Sequence, residues 1–259
     1  MDLNAFLFQE GEKPLDNIPA DGGFCGIFRT IGCIGDSLSS GEFESLTEQG
    51  RIYYDAYPYS WGQFLARMTG SKAYNFSRGG MTAEEYCESF AEANGFWDAD
   101  KKCECYIIAM GANDVTRHGA DLGSVADIDL QDWHNNQKTF MGYYGQIIQR
   151  MKEIQPQAKF FLMTMPDGEE QEPRRHAMDV HAQRICDLAD LFENTYVLDF
   201  RKYAPVYDDT FKENFYLLGH MNPAGYLLTA RMVGAYIDYY VRKFPKDFAR
   251  VGFIGTQYE

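Results

Sequence analysis

The chain has 259 residues, of which 45% are hydrophobic and 24% charged, a composition typical of a globular protein with a substantial core. The formal net charge of −14 argues against nucleic acid or an anionic membrane surface as a partner, because both require clustered lysine and arginine. No run approaches the ~20 apolar residues of a membrane span. The first residues lack the basic and apolar regions of a signal peptide, so we expect a cytoplasmic protein.

Residues 1–24 show no clear hydrophobic period, and we expect an N-terminal extension there, followed by a single domain over residues 25–259. The first predicted strand, Ile27–Ile34, is apolar on both faces, as a central parallel strand should be. It runs into Gly35-Asp36-Ser37, which would place Ser37 at the carboxyl edge of a parallel sheet, where such sheets bind ligands. Ser37 is therefore a candidate nucleophile. The alternative is that Asp36 and Ser37 only cap the next helix.

The stretch from Ser40 to Tyr59 is predicted to be irregular and is rich in tyrosine. Its rings either line a substrate cleft or cover the edge of the sheet. A helix over Trp61–Met68 follows, and then a strand over Lys72–Phe76 that leads to a pair of glycines ending at Gly80. Thr82 and Glu85 fit the capping box of the next helix.

The strand predicted over Cys105–Met110 ends in Gly111-Ala112-Asn113-Asp114. A polar insertion with little periodicity, at about residues 115–137, follows at the same edge of the sheet. Long loops in that position are often lids or binding loops.

The remainder of the chain continues to alternate between helices and strands. The predicted elements are a helix over Lys138–Ile154, a strand over Lys159–Met165, a helix ending near Glu193, a strand over Tyr196–Phe200, an irregular stretch over Arg201–Gly219 and a long final helix opened by Asn222 and Pro223. This alternation predicts five parallel strands with helices on both faces, that is, a three-layer α/β/α domain.

Three strand ends and one loop before a helix would bring Ser37, Gly80, Asn113 and His220 to the same edge. This set has what acyl transfer requires. A serine hydroxyl is a weak nucleophile until a base removes its proton. The developing oxyanion needs preorganised donors, and the backbone N–H groups of Ser37 and Gly80 with the amide of Asn113 would supply them.

The blocks Gly35-Asp36-Ser37-Leu38, Gly79-Gly80, Gly111-Ala112-Asn113-Asp114 and His220 before Asn222-Pro223 resemble, in order and spacing, the four blocks of the SGNH hydrolase superfamily of GDSL esterases and lipases. The resemblance implies a flavodoxin-like five-stranded sheet and no metal or organic cofactor. It implies Ser37 as nucleophile, His220 as base and acid, and Ser37, Gly80 and Asn113 as oxyanion donors. The implied substrates are small acyl or acetyl esters. A tyrosine-rich, acidic rim favours acetylated carbohydrate among them.

One position departs from the family pattern. The aspartate expected three residues before the histidine is replaced by Leu217. We therefore expect either a Ser–His dyad or an atypical triad in which Asp208 or Asp209 orients His220. The alternative function is a catalytically silent protein of the same fold that binds carbohydrate or acts as a scaffold.

Two other hydrolase classes fit the sequence poorly. An α/β-hydrolase requires Gly-x-Ser-x-Gly, but the second residue after Ser37 is a serine, Ser39. A two-metal phosphoesterase requires more carboxylate and imidazole ligands than the predicted strand ends bring together.

Overall fold

The computed structural model describes residues 3–259, apart from the side chains of Asn4, Arg117 and His118. The described strands are β1 Thr30–Gly35, β2 Glu42–Thr47, β3 Gly50–Asp55, β4 Lys72–Ser77, β5 Cys105–Ala109, β6 Lys159–Met163, β7 Thr195–Leu198, β8 Tyr216–Leu217 and β9 His220–Met221. The described α-helices are α1 Leu3–Leu7, α2 Ser37–Ser40, α3 Trp61–Thr69, α4 Ala83–Glu85, α5 Ala91–Ala93, α6 Phe140–Ile154, α7 Arg174–Leu191, α8 Phe200–Tyr203, α9 Asp209–Phe215 and α10 Pro223–Lys243. None of the described helices combines the length and apolar character needed to cross a bilayer.

The central sheet has five parallel strands in the order β4-β1-β5-β6-β7, which confirms the predicted fold class. Successive side chains of a strand point to opposite faces. In β1, Ile31 therefore packs into a core shared with α3 and α10, whereas Ile34 packs into a second core shared with α6 and α7. Because side chains pack on both faces, the carboxyl ends of the strands are the part of the sheet where a binding site can form.

The turn after β1 is held tightly against the neighbouring strand. A Cβ on Gly35 would lie 2.5 Å from the carbonyl oxygen of Ala109, so a larger residue would push the turn out of place. Asp36 caps α2, and its side chain accepts the backbone N–H of Leu38 at 3.1 Å. The capping role considered for Asp36 is therefore present, and it fixes Ser37 as the first residue of α2.

Two helices begin where their predicted caps stand, whereas α9 and most of α8 lie in the stretch Arg201–Gly219 that was predicted to be irregular. The hydroxyl of Thr82 accepts the N–H of Glu85, and the side chain of Asn222 accepts the N–H of Gly225 at the start of α10. The first strand was placed too early by the sequence pattern. Residues Gly23–Ile27 form a 3₁₀ helix, and the strand begins at Thr30.

The stretch from Ser40 to Tyr59, predicted to be irregular, contains an antiparallel hairpin of β2 and β3. The turn residues Glu48 and Gln49 lack the Asn-Gly or Asp-Gly signal of the commonest hairpin turns, and the hairpin was therefore not predicted. β2 also lies against β9, so the hairpin reaches the loop that carries His220.

The two segments outside the regular alternation both pack on the domain. In the N-terminal segment, the carbonyl of Leu7 and the carboxylate of Glu12 accept hydrogen bonds from Arg242 of α10. In the insertion at residues 115–137, Ile128 is buried, and the Nε1–H of Trp133 donates to Glu153 of α6.

Candidate active site

The four residues selected from the sequence lie at the carboxyl edge of the central sheet. Ser37 is half-buried after β1, and Gly80 follows β4 with a φ of +74°. Asn113 and His220 are buried, after β5 and in the short strand β9. α2 and β9 lie against each other, so the fold brings the turn after β1 close to the short strand that carries His220.

Asn113 links the proposed oxyanion donors to the nucleophile turn. Its Nδ2 donates to the carbonyl of Met81, the neighbour of Gly80, at 3.0 Å. The same nitrogen lies 3.4 Å from Oδ2 of Asp36, the neighbour of Ser37. These contacts place the amide beside both partners that an oxyanion hole here would need.

His220 is held by a carboxylate that the sequence analysis did not select. Nδ1 of the ring lies 2.9 Å from Oε2 of Glu44, and the same oxygen accepts the backbone N–H of Gly219 at 2.9 Å. The other oxygen, Oε1, pairs with Nη1 of Arg51 at 2.7 Å. Tyr53 packs edge-on against the imidazole, with ring centroids 5.6 Å apart. The β2–β3 hairpin therefore supplies the orienting contacts of the histidine.

Glu44 is only 2% exposed, and its charge is nevertheless stabilised. Burial acts to raise the pKa of its carboxyl group. The hydrogen bonds from His220 and Gly219, together with the charge of Arg51, outweigh burial and bring the pKa below the ordinary value. An ionised carboxylate at Nδ1 is what an imidazole base needs for orientation and for stabilisation of its protonated form.

The two aspartates predicted as possible orienting residues do not hold His220 in the structure. Asp208 is the N-cap of α9 and accepts the N–H of Phe211 at 2.7 Å. Asp209 is exposed in the first turn of that helix. Helix formation directs the Asp208 carboxylate to the helix N terminus, and Glu44 takes the place at Nδ1.

α2, which begins at Ser37, lies against β9, but among the described residues no hydrogen bond joins the Ser37 hydroxyl to the His220 ring. Nε2 of His220 instead lies 3.1 Å from Oε1 of Glu42. Both ring nitrogens therefore face carboxylates of β2. Contacts between a base and a nucleophile are often long or misaligned before substrate binds.

Because the carboxyl group of Asp36 is buried, we expect the folding stability of the protein to depend on pH. Burial raises its pKa from 3.8 to about 6, against the effect of the Leu38 N–H. The folded state thus binds this proton more tightly than the unfolded state, and the resulting stability is complete below pH 3.8 and is lost as the pH rises through about 6.

The substitution Asp36→Asn keeps the cap and removes the titration. Between about pH 4 and about pH 7, we expect the free energy of unfolding of the variant to gain about 2 kcal/mol relative to that of the wild type. Urea denaturation at both pH values measures this change. A difference between the two proteins that does not vary with pH would contradict the assignment.

A cavity of about 550 Å³ opens at the same edge. Its lining includes the residues on either side of Ser37 and of His220, and much of its wall is apolar. The lining residues closest in sequence to the pair are Asp36, Leu38, Gly219 and Met221, and the apolar wall includes Trp61, Met110, Met163, Met178 and Phe200. This volume is in the range of small-molecule sites, roughly 300–1,000 Å³.

Among the residues that the structure describes, no group of three or more histidine, cysteine, aspartate and glutamate side chains is arranged to hold a metal ion. The arrangement offers instead a hydroxyl, an imidazole with a carboxylate behind it, and nearby N–H donors. The residues that sequence reasoning missed are Glu42 and Glu44, whereas Tyr53 belongs to the tyrosine-rich stretch that was predicted to line a cleft or cover the sheet edge. The signal of the two glutamates was the alternation Glu42-Phe43-Glu44, which places two carboxylates on one face of a strand and a buried ring on the other.

Comparison with known proteins gives one family match. The model of the GDSL-like Lipase/Acylhydrolase family matches residues 33–228, which include all four predicted blocks. A search of curated proteins found no match.

Several solved structures share the fold. A family two carbohydrate esterase from Clostridium thermocellum in complex with cellohexaose aligns with a TM-score of 0.57 at 16% identity, over 89% of this chain and 66% of that one. A carbohydrate esterase family 2 enzyme from Corynascus thermopiles (Myceliophthora fergusii) with a carbohydrate binding domain aligns with a TM-score of 0.55 at 16% identity, over 88% and 69%. The family 3 carbohydrate esterase of Clostridium thermocellum aligns with a TM-score of 0.52 at 12% identity, over 83% and 98%.

Proposed function

Because the chain belongs to the GDSL-like lipase/acylhydrolase family and is a carboxylic ester hydrolase, we propose that it cleaves small acyl or acetyl esters through an acyl-enzyme on Ser37. The observation that carries this proposal is the contact of 2.9 Å between Glu44 and Nδ1 of His220. It restores the carboxylate that the sequence lacks at Leu217. The triad is then Ser37, His220 and Glu44.

In the proposed reaction, the Ser37 oxygen bonds to the ester carbonyl carbon while Nε2 of His220 takes the hydroxyl proton. The negative charge on the former carbonyl oxygen is stabilised by the N–H groups of Ser37 and Gly80 and by the amide of Asn113. The intermediate collapses, His220 gives its proton to the leaving alcohol, and an acyl-serine remains. A water molecule then attacks the acyl carbon with His220 as base, which releases the carboxylic acid and restores Ser37.

Acetylated carbohydrate is the substrate class that we propose. Tyr53 lies against the base, and Tyr54 and Tyr59, which are about half exposed, lie on and beside the same hairpin. Exposed tyrosine rings offer apolar faces with a polar tip, which suits the faces of sugar rings. The names of the carbohydrate esterases that share the fold agree with this proposal. The proposal includes no metal or organic cofactor.

A fluorophosphonate probe tests the nucleophile. We expect the wild type to be labelled, with the label on the peptide that contains Ser37, and the Ser37→Ala variant to remain unlabelled. Ser89→Ala is the matched control, because Ser89 is exposed and its hydroxyl donates only to the carbonyl of Glu85. A folded wild type that is neither labelled nor able to hydrolyse p-nitrophenyl acetate would support the silent binding or scaffold protein instead.

A further inference from the structure

Glu42 has a place in the site that the proposed reaction does not use. Its Oε1 lies 3.1 Å from Nε2 of His220, and its side chain is 15% exposed. Glu44 faces the opposite nitrogen, Nδ1, at 2.9 Å. Both residues come from one face of β2, so the hairpin encloses the imidazole between two carboxylates.

This arrangement is incompatible with general-base catalysis as it stands. A neutral imidazole has one N–H donor and one nitrogen with a free lone pair, whereas the protonated ring has two donors. To accept the Ser37 proton, Nε2 must present its lone pair to the hydroxyl. A carboxylate oxygen close to Nε2 favours a proton on that nitrogen, which leaves no lone pair for Ser37.

The Glu42 carboxylate also lies close to the glycine pair that ends at Gly80. Its Oε2 occupies the space beside Gly79, since a Cβ on Gly79 would overlap that oxygen. Gly79 precedes Gly80, one of the proposed oxyanion donors. The carboxylate thus contacts the base and lies beside the residue that precedes a proposed oxyanion donor, and it has the same chemical group as the carboxylic acid product.

We propose that Glu42 is an internal competitor of the substrate, whose carboxylate occupies Nε2 of His220 and the acyl site in the resting enzyme and must be displaced before an ester reacts. This inference rests on the proposed function. The fraction of enzyme with Glu42 displaced sets the apparent affinity for substrate. Removal of the carboxylate therefore increases kcat/KM.

The test compares Glu42→Gln and Glu42→Ala with Glu48→Gln, a matched control because Glu48 is an exposed glutamate at the turn of the same hairpin. We expect kcat/KM for p-nitrophenyl acetate to rise about tenfold in Glu42→Gln and about ten- to a hundredfold in Glu42→Ala, because hydrogen bonds to charged groups are of that strength. The control should match the wild type. Circular dichroism and the melting temperature verify that each variant is folded.

A second measurement uses acetate, the product of p-nitrophenyl acetate hydrolysis, because it carries the same carboxylate group as Glu42. Added acetate should inhibit Glu42→Ala competitively at lower concentration than it inhibits the wild type, because it binds in the space that the side chain leaves. An unchanged or lower kcat/KM in folded Glu42→Gln and Glu42→Ala would overturn the inference. If Ser37→Ala has also kept its activity, the proposed function itself fails; if Ser37→Ala is inactive, only the role of Glu42 fails.

Discussion

Alanine at Ser37 or at His220 is expected to lower kcat by about a millionfold, and the double variant is expected to lose no more than either single variant. The reason is that the two side chains act as one unit. Without the hydroxyl there is no acyl-enzyme, and without the imidazole the hydroxyl keeps its proton. Steady-state hydrolysis of p-nitrophenyl acetate by the three variants measures this non-additivity.

The residual rate should remain above that of the uncatalysed reaction, because the donors around Gly80 and Asn113 still stabilise an oxyanion formed by attack of water. Ser89→Ala is the control for the effect of removing a hydroxyl from the surface. Multiplicative losses in the double variant would show that Ser37 and His220 act in separate steps, which the proposed mechanism does not allow.

Glutamine at Glu44 is expected to lower kcat by about 10⁴-fold. It preserves the shape of the side chain, but it removes the charge that stabilises the imidazolium, and its amide N–H₂ can face Nδ1 and favour the wrong tautomer. Arg51, the other partner of Glu44, is more than half exposed, so its charge remains solvated in the variant. The loss should therefore appear mainly in kcat, with a smaller decrease in the melting temperature because the ionised Glu44 also stabilises the fold.

Asp208→Asn and Asp209→Asn are the matched controls, because both are carboxylates close in sequence to His220. Asp208 caps α9 and asparagine is an equally good cap, so we expect both variants to keep the activity and the stability of the wild type. A large loss of kcat in either aspartate variant, with the kcat of Glu44→Gln unchanged, would show that an aspartate at the start of α9, and not Glu44, orients His220.

Much of the fold could be predicted because its signals are local. Apolar runs end in Gly-Asp-Ser at Ser37 and in Gly-Ala-Asn-Asp at Asn113, and the caps at Thr82 and Asn222 fixed where two of the helices begin. Parallel strands bring their carboxyl ends to one edge, so the placement of Ser37, Gly80 and Asn113 at that edge followed from the topology. His220 lies outside this sheet, in β9.

The two glutamates could not be found in this way, because their contact with His220 is not local. Glu44 lies 176 residues from His220 in the chain, and it reaches the ring only because the β2–β3 hairpin packs against β9. The prediction therefore selected carboxylates that lie closer to His220 in the sequence, such as Asp208. Recognition of the alternation around Phe43 as a strand would have placed both carboxylates on one face.

The most direct test of the account is a crystal structure of the protein after reaction with a small fluorophosphonate. We expect the phosphorus to be bonded to Oγ of Ser37, Nε2 of His220 to face the adduct, Nδ1 to remain in contact with Glu44, and the Glu42 carboxylate to have left Nε2. Phosphorus on another residue, or a His220 ring that Asp208 or Asp209 orients while Glu44 lies apart, would contradict it.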